Sequence, residues 1–363
     1  MSLALIEHVA IRGLVTVMPE ALVDNLDVPA DQLRQRERLV KNIGIRWRRY
    51  CSGSSLIFSD LAQHAAEKLL QGLAWDPASV DALILVTQSP EFLIPATSII
   101  LQHRLGLPIT TLAFDINLGC SGYPYGVFVC ASMMGDRRLR RVILLAGDQS
   151  ASGATEDVGR EVLFSDACTA TALEYDPSAE PMYFHGRSDG SGYDAIIMPH
   201  GGKRFPMRPD SHFPISCRDG VRRAPNDVWL DGPAVLNFST DRAPRAIAEL
   251  LGEVGIATAD VDYFVLHQAN RMINETIRKK IGVDEKKWPS SLYDYGNTSS
   301  ASIPVTITAR LAQQASEQRL RWVWCGFGIG LSWGTLYLET KPFYVPELIT
   351  LGEKYDFSTD RFS

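Results

Sequence analysis

The chain has 363 residues, 45% hydrophobic and 21% charged, enough to bury a large core as one big domain or two fused ones, and this is not the composition of a disordered chain. Its formal net charge of -6 argues against a nucleic-acid binder, because neutralising phosphates needs a basic face; the arginine clusters at 46–49 and 137–141 read as solvated surface, with contact to an acidic partner as the alternative. The six cysteines are scattered, with no Cys-x-x-Cys pair and no histidine at metal-ligand spacing, so reduced thiols and no bound metal are expected.

No apolar run approaches the roughly 20 residues of a membrane span, and residues 1–13 lack a signal-peptide pattern, so a cytoplasmic protein with no membrane partner is expected. In chain order, a strand is predicted over 8–15, then a polar region over 24–49 containing the turn Gly44-Ile45-Arg46. Ser59 and Asp60 supply a cap for an amphipathic helix, in which Leu61, Ala65, Ala66, Leu69 and Leu70 recur at helical spacing until Gly72 and Pro77 stop it. The apolar run 80–88 predicts a strand covered on both faces. A helix over 96–105 leads to a strand over 111–116, which delivers Cys120 to a turn flanked by Gly119 and Gly122. A helix of small and apolar residues follows over 126–134, then a strand over 142–146. A cysteine at a helix start suits a nucleophile. The positive helix end and its unpaired N–H groups favour a thiolate, so the placement predicts a lowered pKa for Cys120.

Past residue 235 the same order returns. A helix over 243–252 precedes an apolar strand, 261–268, whose Val-Asp opening and closing Gln match the run 80–88. A helix over 270–281, a glycine turn leading into a helix over 295–311, and a strand over 323–325 complete the series. In this register Cys120 and Asn297 occupy equivalent turns. A repeat of roughly 180 residues is too long for a solenoid and predicts two fused α/β units: an N-terminal half, 1–175, and a C-terminal half, 235–340. Between them, 176–234 is rich in Gly, Pro, Asp and Arg and is expected to be an irregular insertion capping a site; the tail, 341–363, has no readable periodicity.

Three further motifs carry chemistry. Leu266-His267-Gln268-Ala269-Asn270 sets a histidine at the carboxyl end of a buried strand, where α/β sheets place catalytic groups, although a hydrogen-bonded core histidine would read the same. Tyr295-Gly296-Asn297-Thr298 sets an amide in a glycine-preceded turn at a helix start, which a simple cap would also explain. The glycine loop Gly326-Phe327-Gly328-Ile329-Gly330-Leu331-Ser332-Trp333-Gly334 follows a strand, but its spacing is not that of a dinucleotide fingerprint.

Together, Gly119-Cys120-Ser121-Gly122, His267-Gln268-Ala269-Asn270, Gly296-Asn297-Thr298-Ser299 and the glycine loop resemble, over about residues 5–340, the β-ketoacyl-acyl-carrier-protein synthase III family of the thiolase superfamily. These enzymes start fatty-acid synthesis. The resemblance implies an α/β fold, a duplicated thiolase-like five-layered αβαβα sandwich, usually a homodimer. It also implies acyl-coenzyme A or acyl-carrier-protein thioesters as substrates, acyl carrier protein as partner and no separate cofactor. Cys120 would take an acyl group from a thioester, and a malonyl thioester would then lose CO2 and attack it in a Claisen condensation, in fatty-acid or specialised lipid biosynthesis. By the same resemblance, His267 and Asn297 would donate hydrogen bonds to the malonyl thioester oxygen. The backbone N–H groups of Cys120 and Ile329 would form the oxyanion hole, with Asn270 supporting His267. An amide serves as third member because it must stabilise developing negative charge, which an aspartate would repel.

The chain departs from the family at its substrate contacts. Counting back from Gly44, Arg38 and Asn42 stand where the family holds the adenine of coenzyme A with Trp and Arg, and Arg160 is the arginine nearest to a further contact. Phe164-Ser165-Asp166-Ala167 replaces the family's Phe-Gly-Asp-Gly. Ile94 takes the place of a Phe that limits acyl length across the dimer, so a longer or branched acyl group is expected. Two other readings use the same residues: an acyltransferase that passes the acyl group to an amine or hydroxyl, and a non-catalytic scaffold subunit.

Overall fold

The computed structural model describes residues 3–51, 56–135, 137–150, 157–217 and 219–352. Two sheets carry the fold. The first orders its strands Ile349–Leu351, Val9–Pro19, Ala167–Tyr175, Arg141–Asp148, Ala82–Val86 and Leu112–Ile116. The second runs Leu3–Ile6, Met182–Ser188, Ser332–Thr340, Leu320–Gly328 and Tyr263–Leu266. Ala82–Val86 is buried throughout and pairs in parallel with both neighbours, which is why its sequence is continuously apolar rather than alternating.

Helices fill the space between the sheets and cover both outer faces. Val127 and Cys130 of Gly122–Met133, with Ile303 and Ile307 of Ser302–Glu317, share one core with Val86 and Leu144 of the first sheet and Trp322 and Trp324 of the second. A helix sandwiched in this way must be apolar on all sides, as Gly122–Met133 is. Gly126 permits its close approach: a Cβ there would lie 2.8 Å from both Val86 and Leu144. Outside, Phe58–Leu73 and Thr97–Arg104 cover the first sheet, while Gly232–Val254 and Arg271–Ile281 cover the second. The result is the five-layered αβαβα sandwich of the thiolase fold.

The duplication is visible in the pairing. In the first sheet Val9–Pro19, Ala167–Tyr175 and Arg141–Asp148 pair antiparallel in turn, and the last pairs in parallel with Ala82–Val86. Met182–Ser188, Ser332–Thr340, Leu320–Gly328 and Tyr263–Leu266 repeat that sequence of senses in the second. Cys120 and Asn297 stand in the turns that precede the two central helices.

Three stretches differ from expectation. The polar region 24–49 contains the helix Ala30–Ile43, which buries only Arg36 and Val40, too thin a stripe to stand out in the sequence. Arg36 is held there by Glu161 at 3.1 Å. The stretch 176–234 is not irregular throughout, because Met182–Ser188 is a strand of the second sheet, paired on both sides. The tail is structured up to residue 352: Phe343 enters the central core and Ile349–Leu351 pairs with Val17, Met18 and Pro19. Residues 353–363 of the tail lie outside the described residues. Among the described residues no helix is long and apolar enough to cross a membrane.

Candidate active site

Cys120 ends the turn after Leu112–Ile116, buried, with the backbone N–H groups of Cys120 and Ile329 both directed at its sulfur. Ser121 Oγ lies 2.7 Å from Ser332 Oγ, which fastens this turn to the second half. The expected lowering of the Cys120 pKa is overturned: burial, with the charge of Asp148 adding to it, pushes the thiol up to about 12. The helix start and its N–H groups do not offset the loss of solvent. At rest the residue is a thiol, and its proton must leave as it reacts.

His267 directly follows the strand Tyr263–Leu266, with its backbone N–H donating to the Cys325 carbonyl at 2.9 Å. Burial lowers its ring pKa to about 3, so the imidazole is neutral. Nδ1 lies 3.1 Å from Ser302 Oγ, and that hydroxyl lies 2.7 Å from the Ser299 carbonyl. With the Ser302 proton on that carbonyl, Nδ1 is the ring's donor towards these two oxygens; a turn of the Ser302 hydroxyl to donate to Nδ1 would move the ring proton to Nε2. Asn270, expected to support His267, instead caps the next helix, its Oδ1 accepting from the Ile273 N–H at 2.9 Å. Asn274 Nδ2 does the supporting, donating to the His267 carbonyl at 3.0 Å.

Asn297 is held on three sides. Its N–H donates to the Leu163 carbonyl at 3.0 Å, its carbonyl accepts from the Ser165 N–H at 2.9 Å, and its Oδ1 accepts from the Ser299 N–H at 2.9 Å. Nδ2 has a single long contact, 3.4 Å to the Ala269 carbonyl, which leaves an amide hydrogen for a ligand. Gly296 before it has φ +64, and a Cβ there would meet Arg48 and Ser165 at 3.2 Å, so both conformation and space call for glycine.

Two cavities meet at Cys120. The larger, about 490 Å³, is lined by polar Gln88, Asn117 and Asp148 against apolar Ile196, Ile197 and Val228. The narrower, about 70 Å³, runs past His267, Asn270 and Val235. Cys120, Asn297, Phe164, Ile196 and Ile329 border both. The structure thus brings Cys120, His267, Asn297, Ile329, Asn270 and Arg160 to one place. Arg160 lines the larger cavity with its guanidinium 2.5 Å from Asp227. Arg38 and Asn42 are exposed on the Ala30–Ile43 helix and line neither cavity. Ile94 is 85% exposed on a surface loop and also lines neither. Ser299, Ser302 and Asp148 were missed by sequence reasoning; Ser299 closes the Asn297 motif, Ser302 lies three residues further on, and only the fold brings Asp148 to them.

Comparison with known proteins agrees with this geometry. Residues 114–190 match the family model for 3-oxoacyl-[acyl-carrier-protein] synthase III, and residues 251–340 match its C-terminal model. The β-ketoacyl-[acyl-carrier-protein] synthase III of Streptococcus pneumoniae (strain Hungary19A-6) is 30% identical over 328 residues, 88% of this chain and 96% of that one. The solved 3-oxoacyl-(acyl-carrier protein) synthase of Burkholderia xenovorans LB400 superposes with a TM-score of 0.88 at 34% identity, covering 96% of this chain and 99% of that one. The synthase III of Pseudomonas aeruginosa PAO1 gives 0.75 at 26% identity, covering 94% and 100%. With this likeness spanning nearly its whole length, the chain belongs to the 3-oxoacyl-[acyl-carrier-protein] synthase III family of transferases, on the thiolase-superfamily fold.

Proposed function

We propose that the protein is a decarboxylating condensing enzyme: an acyl group loads on Cys120, and a malonyl thioester then attacks it to give a β-ketoacyl product. The observation that carries this is the convergence of a thiol, two backbone N–H groups, a neutral imidazole and an amide donor where two cavities meet. In the first step the Cys120 and Ile329 N–H groups hold the oxyanion of the tetrahedral intermediate. In the second, the Ser302 hydroxyl turns from the Ser299 carbonyl to donate to Nδ1, the ring proton moves to Nε2, and His267 with Asn297 Nδ2 holds the thioester oxygen of malonate as CO2 leaves. A neutral imidazole suits that role, since it donates without giving up a full proton to the enolate. The narrow cavity beside His267 takes the pantetheine arm, and the larger one takes the acyl chain.

The family works with acyl carrier protein, and either that protein or coenzyme A is the carrier proposed here. The exposed positions of Arg38 and Asn42 favour the carrier protein, because neither side chain reaches the cavities. A homodimer is proposed as well. Leu112–Ile116 is an edge strand with Leu112 and Phe114 exposed, and Ile109 and Ile94 lie nearly bare nearby in sequence. Pairing such edges covers them, and it is the arrangement in which Ile94 would reach a partner's acyl cavity. The testing experiment is intact-protein mass spectrometry with acyl-coenzyme A and acyl-carrier-protein donors, followed by malonyl thioester, with Cys120→Ala as control. A gain that needs Cys120 and disappears on adding malonyl thioester supports condensation. A gain discharged only by an amine or alcohol replaces it with acyl transfer, and no gain from any donor refutes both.

A further inference from the structure

Asp148 ends the strand Arg141–Asp148 and lines the larger cavity beside Cys120. Its Oδ1 accepts from the Gln88 N–H at 2.6 Å, the Thr87 hydroxyl at 3.1 Å and the Ser89 hydroxyl at 3.3 Å. The Ser300 hydroxyl donates to Oδ2 at 3.4 Å, and the Ser299 hydroxyl also bonds this carboxylate. All these donors are neutral. Half-buried at the cavity wall, the carboxylate is thus held without the cation that ordinarily partners an enclosed charge.

Burial raises the pKa of Asp148, which makes it a better proton acceptor than an ordinary carboxylate. Cys120, in contrast, must shed a proton that burial and the Asp148 charge both hold on. Ser299 stands between the two, its Oγ 4.0 Å from the Cys120 sulfur. It is held there in the left-handed region, φ +50, uncommon for a residue with a side chain, with its N–H donated to Asn297 Oδ1. The other nearby base, His267, has only the oxygens of Ser302 and Ser299 at Nδ1, and neither supports a positive ring as a carboxylate would.

Building on the condensing function proposed above, we propose that Asp148 accepts the thiol proton of Cys120 through the Ser299 hydroxyl during acyl loading. The Sγ–H bond breaks as the bond from Sγ to the acyl carbon forms; Ser299 Oγ takes the thiol proton and passes its own to Asp148. The bond from the acyl carbon to the carrier sulfur then breaks. The proton returns along the same path to the departing thiolate, which leaves as a free thiol. Asp148 acts on Cys120 only through Ser299 and is a positioning residue.

The test times acyl loading by intact-protein mass, using acetyl and octanoyl thioesters of coenzyme A and of acyl carrier protein. Asp148→Asn and Ser299→Ala are each expected to load at least about tenfold more slowly than wild type. Alkylation of Cys120 by iodoacetamide in Asp148→Asn should be no slower than in wild type, because the charge that disfavours the thiolate is gone. The titratable groups facing Asp148 are the thiols of Cys120 and Cys168. Loading by the wild type should fall on the acid side, where Asp148 is already protonated, and that limb should vanish in Asp148→Asn. Wild-type loading by Asp148→Asn with the acid limb kept overturns the proposal, and if that variant does not fold, wild-type loading by Ser299→Ala does so. A wild type that takes up none of these acyl groups overturns the condensing function, and the relay falls with it.

Discussion

Gly328 lies so close over Cys120 that a Cβ on it would sit 2.5 Å from the Cys120 Cβ and 3.1 Å from the sulfur. The two residues belong to different halves of the duplication, so the reacting sulfur is positioned by the contact between halves. Gly328→Ala is expected to destabilise the protein by about 1–3 kcal/mol, as overpacked cores do. It should also slow acyl loading about a hundredfold by moving the thiol. Thermal unfolding and the mass gain on Cys120 measure the two effects separately.

Asn297→Asp keeps the oxygen that accepts from the Ser299 N–H but replaces the Nδ2 donor with negative charge. Malonyl decarboxylation is expected to fall about 10²–10³-fold, with acyl loading reduced far less. Release of CO2 from malonyl thioester by pre-acylated enzyme, set beside the loading rate, checks this. An equal loss in both steps would remove Asn297 from its assigned role.

The His267 ring titrates at about 3 in the folded protein, against roughly 6.5 in an unfolded chain. As pH falls, the unfolded state therefore binds a proton at this position first. The stability linked to the neutral ring is complete above about pH 6.5 and is lost progressively towards pH 3, with about 2 kcal/mol gone by pH 5. Urea unfolding at pH 7 and pH 5 should show this loss in wild type and not in His267→Gln.

Phe114 is exposed on the edge strand Leu112–Ile116. Phe114→Glu is expected to convert a dimer to a monomer in analytical ultracentrifugation. In the dimeric wild type, Ile94→Phe should slow loading from octanoyl donors more than from acetyl donors. A monomeric wild type would remove both expectations.

The parts of the molecule that local pattern dictates were legible in its sequence. Continuous apolar runs marked the central strands, and the short motifs at Cys120, His267 and Asn297 marked the turns that the fold brings together. Other features depend on partners far along the chain. Met182–Ser188 carries His185 and Arg187 and lies in glycine-rich surroundings, so only its two neighbouring strands make it a strand. Ala30–Ile43 shows almost no apolar stripe because one of its two buried residues is Arg36, whose partner Glu161 is remote in sequence. The thiol pKa failed as an expectation for the same reason, since the burial and the carboxylate that raise it come from other elements.

Each sheet ends on a strand borrowed from outside its own half. Leu3–Ile6 pairs with the first strand of the second half, and Ile349–Leu351 pairs with the matching strand of the first. Tyr344 adds a clasp, exchanging backbone hydrogen bonds with Arg12 and Leu14 while its ring covers Gly72. Two units that read as copies have thereby given up independence. Either one expressed alone would present a bare strand edge to solvent, the geometry from which sticky assemblies grow. The natural unit of inheritance, expression and engineering here is the pair, and a cut made at the apparent seam of the duplication would divide a single folding body.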